Sequence, residues 1–123
     1  MEEWEEEFEW LRVRHIVRKS MNQVSIPDFQ TILFLIGIQE FGLIQHSFSK
    51  EEKQDLMHIA VCKLLSYEGY YQFVGRDADG WPHYDQLKDV PYEGAKEQQK
   101  YLKRLIIRYF SELEQENGGF EEE

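Results

Sequence analysis

Residues 67–92 read YEGYYQFVGRDADGWPHYDQLKDVPY and separate three helical patterns from a fourth. Structureless connections longer than roughly 12–15 residues are uncommon in compact domains. Residues 72–74 favour a strand, and Asp77-Ala78-Asp79-Gly80 is typical of a turn. The segment is therefore expected to be an aromatic-rich loop or a short β-hairpin, in which residues 70–75 pair with residues 81–84. Its aromatic residues are Tyr67, Tyr70, Tyr71, Phe73, Trp81, Tyr84 and Tyr92.

The patterns before this segment predict three helices, the first of them over residues 3–21. The second is expected to begin near Ser25, where a hydroxyl and a following proline suit a helix start, and to end at Gly42. It is apolar nearly all round over residues 29–41, so we expect it to be the central helix. The third begins at a capping box formed by Ser49 and Glu52, and Gly69 ends it.

A fourth helix is expected after the aromatic segment. It begins between Val90 and Ala95, and Asn117 with the two glycines that follow ends it. The four predicted helices indicate an all-α fold, a four-helix bundle-like domain that covers residues 1–117. Residues 118–123 are expected to form a disordered acidic tail.

The first helix has apolar residues on two opposite sides. At 100° per residue, Trp4, Phe8 and Leu11 form one stripe, which His15 continues. The other stripe is nearly opposite, and a single small core cannot cover both. The sequence therefore predicts a homo-oligomer, most simply a twofold dimer, unless the helix is embedded between the aromatic segment and the bundle. The expected interface residues are Trp10, Val13, Val17 and Ile107.

The net charge of −10 is concentrated at the two ends of the 123-residue chain. Six glutamates lie within residues 2–9 and six within residues 112–123, whereas residues 10–111 carry 14 cations against 12 acids, a balance of +2. Acidic ends disfavour nucleic acid as a partner. The acidic start lacks a secretory leader, the single Cys62 cannot form an internal disulfide, and the longest apolar run has seven residues. We therefore expect a cytoplasmic protein without a membrane partner.

The turn region gathers side chains that suit a ligand or a partner protein. A cation, an acid, an imidazole and two aromatic rings lie within nine residues, a mixture found at binding surfaces. The same residues also suit a small aromatic core packed on the helices. The candidate binding residues are Arg76, Asp77, Trp81, His83 and Tyr84.

Metal, cofactor and catalytic sites are not expected. Asp77-x-Asp79-Gly80 lacks the other ligands of a calcium loop. Asp55, His58 and Cys62 share one side of the third helix, but a zinc site would need further ligands, so a buried thiol beside a histidine is the simpler interpretation. Glu40 lies in an apolar stripe and is expected to reach water or to pair with a basic side chain.

These features favour a non-catalytic interaction or regulatory module that self-associates. The alternative is a small-molecule-binding domain or an enzyme with a site near residues 70–84, which could use Arg76, Asp77 and His83. A pocket with converging polar groups would favour the alternative, whereas an apolar patch that includes the first helix would favour self-association.

Overall fold

The computed structural model describes residues 2–20, 24–42 and 47–116. Within these ranges the chain forms four helices and one two-stranded antiparallel sheet, in the order α1 (Glu3–Ser20), α2 (Phe29–Phe41), α3 (Lys50–Ser66), β1 (Tyr71–Arg76), β2 (Pro82–Gln86) and α4 (Gly94–Glu116). The mostly helical fold is confirmed, and the hairpin is the correct one of the two predictions for the segment between α3 and α4. The bundle arrangement and the single-domain boundary stay predictions, and the predicted acidic tail lies outside the described residues.

Local capping fixes where α2 and α3 begin. The predicted capping box is confirmed, since the Glu52 N–H donates to Ser49 Oγ at 3.1 Å and the Ser49 N–H donates to Glu52 Oε1 at 2.8 Å. The predicted start of α2 near Ser25 was wrong, because the cap is Asp28. Its carboxylate accepts a hydrogen bond from the Thr31 N–H at 2.8 Å, and this bond lowers the pKa of Asp28.

The buried side chains form two clusters that share α3. The main cluster contains residues of all four helices, among them Val13, Ile36, Leu64 and Ile106. The second cluster consists of Phe41, Leu56 and Ile59, and the hairpin residues Trp81 and Tyr84 pack against it. Helix α3 therefore connects the helical core to the hairpin. Such burial of apolar side chains is the main favourable contribution to folding.

Helices α2 and α3 approach closely at Gly37. A Cβ atom built on this buried glycine would lie 2.1 Å from the carbonyl oxygen of Leu56. Side chains normally hold helix axes 8–10 Å apart, so a position without a side chain permits a closer approach. Gly37 thus sets the spacing of the two helices beside the second cluster.

Helix α1 packs on α4 through its inner stripe. Val13 and Val17 are only 1% and 4% exposed and belong to the main cluster. Two ion pairs cross to α4, Glu6 with Arg104 at 2.9 Å and Arg12 with Glu114 at 2.8 Å. The pairs occur in the same order along both helices, so α1 and α4 run in the same direction.

Glu40 connects α2 to α4. Its Oε2 accepts a hydrogen bond from the hydroxyl of the buried Tyr109 at 2.8 Å, so it pairs with a phenol and not with the expected basic side chain. The carboxylate is only half-buried, as the expected access to water requires. Burial, reinforced by the adjacent Glu40, raises the pKa of Tyr109 far above its ordinary value. The hydroxyl therefore keeps its proton and remains a donor to Glu40.

No helix within the described ranges combines the length and the apolarity that crossing a membrane requires.

Candidate functional site

The hairpin between α3 and α4 has a bulge and a tight turn. Tyr71 pairs with Gln86 and Phe73 with Tyr84, and the register then shifts between Phe73 and Gly75. Such a bulge redirects the side chains that follow it. Gly80 closes the turn with φ of 89°, a left-handed conformation that glycine adopts without steric cost.

Arg76 fastens the end of β1 to the end of α2. Its Nη1 donates to the carbonyl oxygens of Phe41 and Gly80, both at 2.8 Å, and its Nη2 donates to the carbonyl oxygen of Glu40 at 2.7 Å. A cation at this position also stabilises the negative end of the helix dipole. The predicted ligand-binding Arg76 therefore has a structural task, because its guanidinium is engaged by three backbone oxygens.

Asp77 organises the turn and holds His83. Its Oδ1 accepts from the N–H groups of Asp79 and Trp81 at 2.9 and 3.0 Å, and His83 Nε2 lies 3.0 Å from its Oδ2. The bond to His83, followed by the bond to the Trp81 N–H, lowers the pKa of Asp77. The carboxylate thus stays ionised while it fixes the imidazole ring.

Trp81 and Tyr84 lie against the helices. The Trp81 ring stacks on Phe41, with 4.4 Å between ring centroids and 23° between planes. Tyr84 meets Phe73 edge to face at 5.6 Å, and burial raises the pKa of Tyr84 to about 12. Both rings are half-buried, so each packs on the core and still reaches the surface.

A cavity of about 460 Å³ lies between α3 and the hairpin. This volume is within the range of small-molecule sites, roughly 300–1,000 Å³. One wall is the α3 face that contains Asp55, His58, Ile59 and Cys62. The other wall consists of the hairpin residues Asp77, Trp81, Pro82, His83 and Tyr84.

The predicted thiol–histidine pair lies in this cavity. Cys62 Sγ is 3.5 Å from His58 Nε2, and burial raises the pKa of the thiol to about 11. A thiol that keeps its proton is a poor nucleophile and a poor metal ligand. In the part of the chain that the structure describes, no group of three or more His, Cys, Asp and Glu side chains could hold a metal ion.

The structure thus unites two sets of residues that the sequence analysis treated separately. Four of the five candidate binding residues line the cavity, and only Arg76 does not. The α3 wall completes the site, although α3 and the hairpin each gave only a weak signal alone. Helical spacing already placed Asp55, His58 and Cys62 on one side of α3, but which element would face them is a matter of tertiary packing.

The predicted oligomer interface needs a correction. Val13 and Val17 lie in the chain's own core, so this stripe is not available to a partner. The opposite stripe is exposed, with Trp4 at 68%, Phe8 at 61% and Leu11 at 43%. We call this stripe, continued by the exposed His15, the outer face of α1.

Trp10 and Ile107, the other predicted interface residues, lie in grooves between α1 and α4. Trp10 packs on Phe29, with 6.3 Å between ring centroids. Lys103 Nζ lies 5.2 Å from the centroid of the Trp10 ring. Ile107 lines a groove of about 450 Å³ together with Trp4 and Phe8. Ile107 therefore extends the outer face of α1 towards α4.

Comparisons of the chain with protein-family models, with curated proteins and with solved structures found no match.

Proposed function

We propose that this protein is a non-catalytic interaction module that forms a homodimer through the outer face of α1. The supporting observation is the exposure of Trp4, Phe8 and Leu11 along one line of the helix, next to the half-buried Ile107. Contiguous apolar side chains on a surface tend to mark association sites. In the predicted four-helix bundle this face would lie on the outside, and the free thiol of Cys62 accords with the predicted cytoplasmic location.

The charge pattern of α1 favours a second copy of this chain as the partner. The first half of the helix region is acidic and the second half is basic, so two copies attract one another when they pair in opposite directions. Parallel pairing would place like charges together. The acidic half contains Glu2, Glu3, Glu5, Glu6, Glu7 and Glu9, and the basic half contains Arg12, Arg14, Arg18 and Lys19.

One antiparallel register places every exposed apolar residue of the outer face of α1 against a side chain of the second copy. When Phe8 lies opposite Leu11 of the second copy, Trp4 lies opposite His15, and the twofold axis passes between residues 9 and 10. Each exposed apolar ring or chain then packs against a side chain of the other copy. This register removes the largest exposed aromatic groups of α1 from water.

The same register also pairs charges at both edges of the stripe. Glu5 and Arg12 lie on one edge, and Glu7 and Arg14 lie on the other, as the helical period of 3.6 residues dictates. In the antiparallel pair Glu5 comes near Arg12 of the second copy, which also pairs with Glu114 of its own chain. Glu7 comes near Arg14, whose Nε donates to the carbonyl oxygen of Pro27 in its own chain. Edge charges of this kind set partner choice and orientation more than affinity.

Sedimentation or light scattering at micromolar concentration tests the dimer. The unsubstituted chain is expected to dimerise. Phe8→Ser is expected to weaken dimerisation about 1,000-fold or more, since a twofold dimer buries Phe8 of both copies and each contributes about 2–3 kcal/mol. Leu87→Ser is the matched control, because Leu87 is also exposed but lies after the hairpin. A chain that stays monomeric, or equal losses in the two variants, would contradict the proposal.

Cysteine cross-linking tests the orientation. In the antiparallel register Leu11→Cys lies near its copy across the axis, whereas His15→Cys is displaced by about 16 Å along the helix at 1.5 Å per residue. Only Leu11→Cys should form a disulfide-linked dimer, and the buried Cys62 with its raised pKa should not interfere. Equal cross-linking at both positions would indicate parallel helices.

A further inference from the structure

The cavity between α3 and the hairpin has walls that are fixed by contacts outside it. On the hairpin side, the stack of Trp81 on Phe41 and the bonds of Arg76 to α2 hold the turn in place. On the other side, α3 belongs to both buried clusters. Contacts that hold the walls in place before a ligand arrives reduce the entropy cost of binding.

The charges around the cavity are of one sign. Asp55 lies on one wall and Asp77 on the other, and the described residues that line the cavity include neither a lysine nor an arginine. Asp77 is ionised, because its bond from His83 lowers its pKa. The exposed Asp55 carboxylate forms no hydrogen bond or ion pair with another described residue, so it is free to meet a ligand.

The surface between the two carboxylates is apolar and aromatic. Ile59 and Pro82 are buried, and Trp81 and Tyr84 expose part of their rings. Flat ligands pack well on such rings, and cations are also attracted to their faces. Burial raises the pKa of Cys62, so its thiol stays protonated and adds no negative charge to the site.

We propose that this cavity binds a small organic cation that carries an aromatic ring. The ring would lie along Trp81 and Tyr84, and the cationic group would lie between the carboxylates of Asp55 and Asp77. The imidazoles of His58 and His83 add polar groups that can fix its orientation. This site is separate from the outer face of α1 and does not depend on dimerisation.

Titration with phenethylammonium, followed by amide and indole N–H resonances in NMR, tests the proposal. A ligand of nine heavy atoms is expected to bind with a dissociation constant of about 1 mM. The shifts should be confined to α3 around Asp55 and His58 and to the hairpin, including the Trp81 indole but not those of Trp4 and Trp10. Neutral 2-phenylethanol and anionic phenylacetate have nearly the same shape and are expected to bind at least fivefold more weakly.

Substitution of the carboxylate provides the second arm. Asp55→Asn should weaken binding about fivefold, as expected for one charge about 4 Å away that water screens fully, and Asp55→Glu should largely retain it. Asp85→Asn is the matched control, because it removes the same charge from an exposed β2 residue that does not line the cavity.

Three outcomes would overturn the proposal. They are the absence of shifts up to about 10 mM probe, equal binding of the three probes, and equal losses in Asp55→Asn and Asp85→Asn. The last result would mean that the probe is attracted only by the net acidity of the chain. Asp55 and Asp85 are exposed, so their substitution should change stability little. A melting temperature equal to that of the unsubstituted protein shows that each variant is folded.

Discussion

Gly37 shows how the absence of one side chain can decide a helix contact. The residue is buried, and the backbone of Leu56 occupies the space where its side chain would be. In the sequence, Gly37 is one residue of the apolar stretch 29–41, and no local pattern indicates its role. The contact joins residues of different helices, so it cannot be predicted from the residues next to Gly37 in the sequence.

Gly37→Ala is expected to destabilise the fold by about 2 kcal/mol or more, because the overpacking cost exceeds the roughly 1 kcal/mol that alanine adds to helix stability. The Cβ would be 2.1 Å from the Leu56 carbonyl oxygen, so α2 and α3 must separate. Denaturant unfolding measures the effect. Gln39→Ala, at an exposed α2 position, should change stability little. A stabilising effect of Gly37→Ala would show that the helices are further apart.

Single residues were predictable where their partners are close along the chain. The capping box of Ser49 and Glu52 spans three residues and was identified correctly. The choice between the two stripes of α1 was not predictable in this way. Both stripes are apolar, and only packing on α4 determines that Val13 is inside and Phe8 outside.

At the scale of elements, the hairpin depends on its attachment to α2. Its turn was predictable from Asp77 and Gly80, which act locally. Its attachment was not, because Arg76 bonds to carbonyl oxygens 35 and 36 residues earlier in the chain. An arginine next to a turn is easily taken for a binding residue when its distant partners are unknown, and Arg76 was predicted as one for this reason.

Arg76→Lys is expected to destabilise the protein by about 1–2 kcal/mol, since an ammonium group cannot reproduce the three guanidinium bonds. Unfolding in denaturant measures the loss. Arg104→Lys is a suitable control, because Arg104 is exposed and forms an ion pair with the half-buried Glu6, and ion pairs that face solvent contribute little. If both replacements were equally mild, the three bonds of Arg76 would not anchor the hairpin.

At the scale of the whole molecule, a hydrogen bond connects α4 to α2 through Tyr109 and Glu40, which are 69 residues apart in the sequence. Tyr109→Phe should cost about 1–2 kcal/mol, because it leaves the Glu40 carboxylate without this partner at a half-buried position. The same replacement in a Glu40→Leu background should cost much less. A double-mutant cycle by denaturant unfolding gives the coupling, and a coupling near zero would contradict the assignment.

Most residues of each cavity wall could be predicted from the sequence, but the pairing of the two walls could not. Sequence spacing placed three polar residues on one side of α3 and gathered the turn residues of the hairpin. That the two groups face each other follows from the stack of Trp81 on Phe41 and from the packing of Tyr84 on the second cluster. These are contacts between distant parts of the chain, which period and propensity do not encode.

The membership of α3 in both buried clusters has a consequence for cooperativity. Leu56 and Ile59 in its middle turns support the hairpin, and Leu64 and Leu65 in its last turn support the main cluster. Neither cluster can open fully without disturbing the helix on which the other depends. We therefore expect the hairpin and the helical core to unfold in one coupled transition, in which a destabilising substitution in either region lowers the stability of both.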